Sequence, residues 1–342
     1  KEVISEFPFF SFLLGDLHPH VLSMPYVFLI LGFALALFLQ PGDKSFRWLK
    51  TLPLEISPGF FMLLAWVAGG MAFLNTWNFP MYVGVLAGAY TLRNLRDRQS
   101  GKLIEVLRDF LFLGVALGLT GGFLYLPWYL GFSSQAGGII PNVLYVTKGV
   151  QFWVMFGPLL VPIFAWLITG SVRNKERFNL RMGAGITAAL VFGLMLLMLA
   201  IIGFGSLLNV SAGGEPLVEV FLAQVGGSDL SQVVLEGLLR RVTMGGTLLT
   251  LIIISTLGWG MVFSNKGEER QSQDSGAGEN SADFVLLLIL AGMVLVLFPE
   301  FLYLRDMFGY RINTIFKFYY QTWLLWSLAA AYILATLADS LK

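Results

Sequence analysis

The chain has 342 residues, 56% apolar and 13% charged, against roughly 45–50% and roughly 25% in soluble domains, so a soluble fold is excluded. Its 22 basic and 21 acidic residues leave a net charge of +1, which provides no basic stripe to neutralise the phosphates of a nucleic acid. With no cysteine in the chain, disulfides, thiolate catalysis and thiolate metal sites are excluded together.

In chain order, the elements to count are spanning helices, each needing about 20 mostly apolar residues to cross the hydrocarbon. Nine stretches qualify: 21–39, 59–76, 80–92, 110–130, 152–171, 183–205, 244–263, 284–301 and 318–337, the third being the shortest. They predict an all-α, polytopic transmembrane helical bundle of about nine spans forming a single domain over 1–342. The connections alternate in charge. One side holds Lys44, Arg47, Lys50, Arg93, Arg96, Arg98, Lys102, Arg108, Arg173, Lys175, Arg177, Arg181, Lys266, Arg270 and Lys342, which is fifteen of the 22 bases. The positive-inside rule then puts residue 1 outside the cell and residue 342 in the cytoplasm of a multi-pass cell-membrane protein. Because Lys1 lies on the outer side with no signal-peptide pattern, the chain reads as a fragment of a longer one. The segment 264–283, which includes GEERQSQDSGAGENS, has the composition of a flexible cytoplasmic linker.

Polar residues collect in the outer connections. The first begins at Glu6 and runs through an aromatic-rich approach to Asp16-Leu-His18-Pro19-His20, which holds both histidines of the chain. Pro19 pushes His18 extended, and residues two apart in an extended chain face the same way. Asp16, His18 and His20 therefore point together, a set competent to ligate a divalent metal ion or to act as acid and base. The plainer alternative has them capping the first span and touching headgroups. The second connection, Asn75-Thr76-Trp77-Asn78-Phe79-Pro80, reads as a tight reversal with asparagine caps and an interfacial tryptophan, or with Asn75 and Asn78 as substrate-binding residues. The third, 129–149, reads as a flexible loop with Gly137-Gly138 able to present N–H groups to an anion. The fourth, 206–243, is an extracytoplasmic loop with amphipathic helices; over 230–242 Leu and Val recur at helical spacing, ending in Arg240 and Arg241, placed for lipid headgroups or a phosphate.

The last connection, from Glu300 to Trp323, concentrates charge: Arg305, Asp306, Arg311 and Lys317 stand near Asn313, Tyr320 and Gln321. At the edge of the hydrocarbon such charges need partners, either one another in an internal ion-pair network or a bound phosphate.

The strings EFPFFSFLLGDLHPHVLSMP, FLNTWNFP and FLYLRDMFGYRINTIFKFYYQTW resemble, in the same order, the signature segments of the Chlor_Arch_YYY family of large membrane proteins, whose defining domain has no assigned function. That family is distantly similar to the GT-C glycosyltransferases, which act on lipid-phosphate-linked sugars. The resemblance implies a GT-C-like bundle in which Asp16 or Glu6 is the catalytic carboxylate and Arg311 and Lys317 hold the donor phosphate. The usual GT-C acidic motif follows a first helix that is missing here, so the same resemblance leaves open a catalytic acid upstream of residue 1. Function on this reading is transfer of a sugar from a polyprenyl-phosphate donor at the outer face, beside the lipid bilayer. The alternatives are a membrane transporter, which calls for ionisable residues at midplane or broken helices in paired halves, and a non-catalytic subunit working with other membrane subunits.

Overall fold

The computed structural model describes residues 7–15, 18–41, 54–98, 102–133, 137–173, 175–207, 211–212, 215–216, 219, 222, 226, 229–264, 277–305 and 310–340. Its elements are α1 (Pro8–Leu13), α2 (Pro19–Leu39), α3 (Pro58–Leu74), α4 (Asn78–Arg98), α5 (Leu103–Leu124), α6 (Leu126–Gly131), β1 (Ile139–Pro141), α7 (Gly149–Arg173), α8 (Leu180–Leu207), β2 (Ser211–Ala212), β3 (Glu215–Pro216), α9 (Leu230–Thr243), α10 (Gly246–Val262), α11 (Ala277–Leu297), a 3-10 turn (Phe298–Glu300), β4 (Leu302–Leu304) and α12 (Ile312–Ser340). The all-α expectation holds, and each of the nine apolar stretches falls on helix. Crossing is a stricter condition. By length and composition α2, α7, α8, α11 and α12 qualify, and α9 with α10, bent by 66°, would make a sixth span. Five or six of the nine expected crossings thus meet this condition among the described residues. Leu119, Phe123, Leu130 and Val150 are 71–81% exposed, an outward apolar surface that suits lipid rather than water.

The chain divides into two compact units. The first comprises Ser11–Ser133 and Lys266–Leu287; the second comprises Lys1–Phe10, Ser134–Asn265 and Leu288–Lys342.

In the first unit, α2 begins at Pro19, with His18 extended at φ −56° and ψ 142° as the proline requires. Helix α3 begins at Pro58 after Ser57, whose hydroxyl accepts from the Phe60 N–H at 3.4 Å. Helices α3 and α5 approach closely through Gly69 and Gly121: a Cβ on Gly69 would lie 2.7 Å from the Gly121 carbonyl oxygen. Helix α4 does not stop with its apolar run near Leu92 but continues to Arg98. The extension is built on polar partners. Arg93 and Asn94 are each 2% exposed; Arg93 donates to Asn94 Oδ1 at 3.1 Å and to the Glu55 carbonyl at 3.3 Å. Asn94 in turn donates to Asp109 at 2.8 Å, and Arg96 closes the end of α2 by donating to the Phe38 carbonyl at 3.1 Å.

In the second unit, α8 and α7 both pack on α10, and α12 packs on α7. Trp326 of α12 donates its indole N–H to the Ile289 carbonyl at 3.0 Å, and Thr187 of α8 donates to Ser255 of α10 at 2.9 Å. The segment expected as a flexible loop contains β1, which pairs antiparallel with β4 in the register Ile139↔Leu304, Ile140↔Tyr303, Pro141↔Leu302. The Gly137 N–H, expected to face an anion, instead donates to the Arg305 carbonyl at 2.7 Å. Most of the linker expected over 264–283 lies outside the described residues, and from Ala277 onward it forms the first turns of α11.

Helices α8 and α10 meet at Gly183, where a Cβ would lie 2.2 Å from the Thr256 carbonyl oxygen and 2.8 Å from the Gly260 nitrogen. Backbone cannot yield as a side chain does, so Gly183→Ala is expected to cost about 1–3 kcal/mol, the usual range for overpacking. Gly193→Ala, on the same helix with nothing within 4 Å, should leave the unfolding midpoint in detergent unchanged or slightly raised. Equal losses in both variants would show that the close approach is not the cause.

Candidate functional site

The polar residues singled out in the sequence fall into two clusters, one in each unit. In the first unit, His20 at the start of α2 is 3% exposed and Asn78 at the start of α4 is 1% exposed. Asn75 ends α3, and its amide Nδ2 donates to His20 Nδ1 at 3.0 Å. Asn78 Nδ2 donates to Ser23 Oγ at 2.9 Å, and Ser23 Oγ donates to the His20 carbonyl at 3.0 Å. The asparagines, expected as local caps, therefore tie the first turn of α2 to the α3–α4 reversal. An amide nitrogen only donates, so His20 Nδ1 is the acceptor of this bond. Asn78 Oδ1 is buried with no hydrogen-bond partner among the described residues.

The His18 and His20 rings lie nearly parallel with centroids 6.4 Å apart, so both histidines sit at the mouth of α2 as expected. His18 makes no side-chain cap. Asp16 and Glu6 lie outside the described residues. Among the described residues no three metal-ligating side chains cluster, and His20 Nδ1 is already engaged by Asn75.

In the second unit, Glu300 closes the 3-10 turn and Arg311 directly precedes α12; they are 3% and 4% exposed. Arg311 Nη1 donates to Glu300 Oε1 at 2.9 Å and to the Pro299 carbonyl at 3.3 Å. Thr147 supplies two more donors to the same carboxylate, its hydroxyl to Oε1 at 2.5 Å and its N–H to Oε2 at 3.2 Å. Tyr319 OH lies 3.4 Å from the Thr147 hydroxyl, and Thr247 donates to the Thr147 carbonyl at 2.8 Å. Arg311 thus takes the internal ion-pair partner that the sequence allowed as an alternative to phosphate. Its Nε, however, is buried and has no partner among the described residues.

Arg241, read as a headgroup or phosphate arginine, is 8% exposed and turned inward. It donates to the carbonyls of Asn142 and Val143, to that of Gly237 at 3.0 Å and to that of Glu300 at 2.8 Å. Its guanidinium lies over the Phe301 ring, 5.5 Å from the centroid. Arg240 instead pairs with Glu236 one helical turn earlier at 2.5 Å. Of the other residues expected near a donor phosphate, Tyr320 and Gln321 are buried on α12, while Arg305, Asn313 and Lys317 are half-buried. Asp306 lies outside the described residues. Sequence reasoning passed over Glu300, Thr147 and Ser23 as site residues. Only Glu300 carried a signal of its own, a carboxylate set directly after an apolar run and a proline.

Removing one partner of a buried ion pair strands the other charge. Arg311→Met alone is therefore expected to cost about 3–5 kcal/mol, and adding Glu300→Gln to the same protein should restore most of it. Thermal unfolding in detergent reads both, and equal losses in the single and double variants would remove the ion pair as the cause.

No curated protein and no solved structure matches this chain. Residues 1–326 match the family model described as an uncharacterized membrane protein (DUF2298), and with nearly its whole length matched, the chain of buried charges and apolar helices belongs to that membrane-protein family.

Proposed function

We propose that this membrane protein transfers a sugar from a polyprenyl-phosphate donor at the outer face of the cell membrane, in a GT-C-like bundle of nine crossings with residue 1 outside and residue 342 in the cytoplasm. The observation that carries the reading is Arg311, a buried guanidinium whose Nε has no partner among the described residues. A phosphate ester offers the paired oxygens that an arginine edge takes best. In this reaction an acceptor hydroxyl attacks the anomeric carbon and loses its proton to a carboxylate, Asp16 or Glu6. The bond to the phosphate oxygen breaks, and polyprenyl phosphate departs. Arg311 and Lys317 stabilise the charge that grows on the leaving phosphate. Arg305, Asp306, Asn313, Tyr320 and Gln321 complete the donor side. No metal step is needed in this scheme.

A second reading, a non-catalytic subunit of a larger membrane assembly, is favoured by the Arg311–Glu300 pair, which gives Arg311 an internal partner.

Two measurements test the proposal. The native chain has no cysteine, so single cysteines report topology without background. Ser133→Cys should react with a membrane-impermeant maleimide in intact cells, and Ser272→Cys only after permeabilisation; the reverse pattern inverts the assignment. In nanodiscs, Lys317→Ala should weaken binding of a polyprenyl-phosphate sugar at least tenfold. The double variant Asp16→Asn with Glu6→Gln should leave binding intact but slow release of polyprenyl phosphate by about 10²–10⁴-fold, the usual contribution of a proton-transfer group. Variants that are silent in both assays favour the subunit reading.

A further inference from the structure

We propose that Glu300 is a resident counter-ion of Arg311, which gives up this contact to an incoming phosphate; the inference rests on the phosphate reading of Arg311 above. Three features of the second unit carry it. First, the Glu300 carboxylate is held twice over: by Arg311 Nη1 at 2.9 Å, and independently by the hydroxyl and N–H of Thr147 at 2.5 and 3.2 Å. It therefore keeps two donors when Arg311 leaves. Second, Glu300 cannot follow the arginine, because Arg241 holds its carbonyl at 2.8 Å while bonding three other carbonyls. Third, the hydrogen bonds of Arg311 to the described residues all leave from Nη1, and its buried Nε has none. The edge that contains Nε is one of those that grip two oxygens of a phosphate side by side. In the absence of ligand, Glu300 neutralises a guanidinium that would otherwise stand uncompensated in an apolar surround.

The carboxylate that stabilises the empty site also opposes a second anion there. Removing its charge while keeping its shape, Glu300→Gln, is expected to tighten phosphate binding about tenfold, since a like charge within a few ångströms no longer repels the ligand. Thr147→Val acts in the other direction. It removes one of the carboxylate's independent donors, makes Glu300 lean harder on Arg311, and should weaken binding several-fold.

The probes are inorganic phosphate and a short-chain polyprenyl phosphate, each titrated against the full chain in nanodiscs. Tightening with Glu300→Gln and weakening with Thr147→Val support the inference. When both probes respond, the phosphate group alone is recognised; when only the polyprenyl phosphate responds, the lipid-borne ester is. If the unsubstituted chain binds and Glu300→Gln binds no more tightly, the counter-ion role is overturned and the phosphate reading survives. Binding by Glu300→Gln alone would show a site that Glu300 blocks, and binding by neither protein overturns both readings. Should Glu300→Gln fail to fold, Thr147→Val decides: unchanged or tighter binding overturns the inference.

Discussion

A guanidinium removed from water must be met by acceptors around its whole rim, and the second unit is organised by how Arg241 meets that demand. Its acceptors are the carbonyls of Gly237 on its own helix, of Asn142 and Val143 just after β1, and of Glu300 at the end of the 3-10 turn. One side chain therefore joins three segments that share no regular ladder at that point. Asn142 reinforces the joint by donating to the Pro299 carbonyl at 2.7 Å, beside the β1–β4 pairing. The position of the Glu300 carboxylate, and through it that of Arg311, follows from this fixed backbone.

The first unit solves the same problem with amides. Asn94 mediates between Arg93 and Asp109 at one end of α4, and Asn75 and Asn78 engage His20 and Ser23 at the other. An amide both donates and accepts, so it can link groups that would repel or strand one another in contact. The cost of burying polar atoms in an apolar surround is offset only where each finds a complement. The carbonyl of Asn78 finds none among the described residues.

The sequence made the helices legible, because apolar runs of spanning length are a local property. Partners were not legible, for they are remote. Arg241 stands 98 and 99 residues from the Val143 and Asn142 carbonyls it bonds, and at the end of an amphipathic helix it reads locally as a headgroup contact. Asn75 and Asn78 lie 55 residues from His20 and Ser23, so their cap-like setting in a tight turn dominated. The strand β1 is three residues long and exists only through pairing with β4, which no period in 129–149 could reveal. Helix α4 outran its apolar run for a related reason: Arg93 and Asn94 are tolerated inside because Glu55 and Asp109 come from other parts of the chain.

Stability alone does not explain the Glu300–Arg311 pair. Two charges taken out of water recover little more than their desolvation cost, and apolar residues of similar volume often do as well. What distinguishes this pair is its imbalance. The carboxylate has Thr147 in addition to its cation, whereas among the described residues the guanidinium has hydrogen bonds at one nitrogen and none at Nε. A purely structural bridge gains from satisfying both partners evenly. Surplus donors on the anion beside an edge of the cation that no described residue engages are the imbalance on which the proposed phosphate exchange draws.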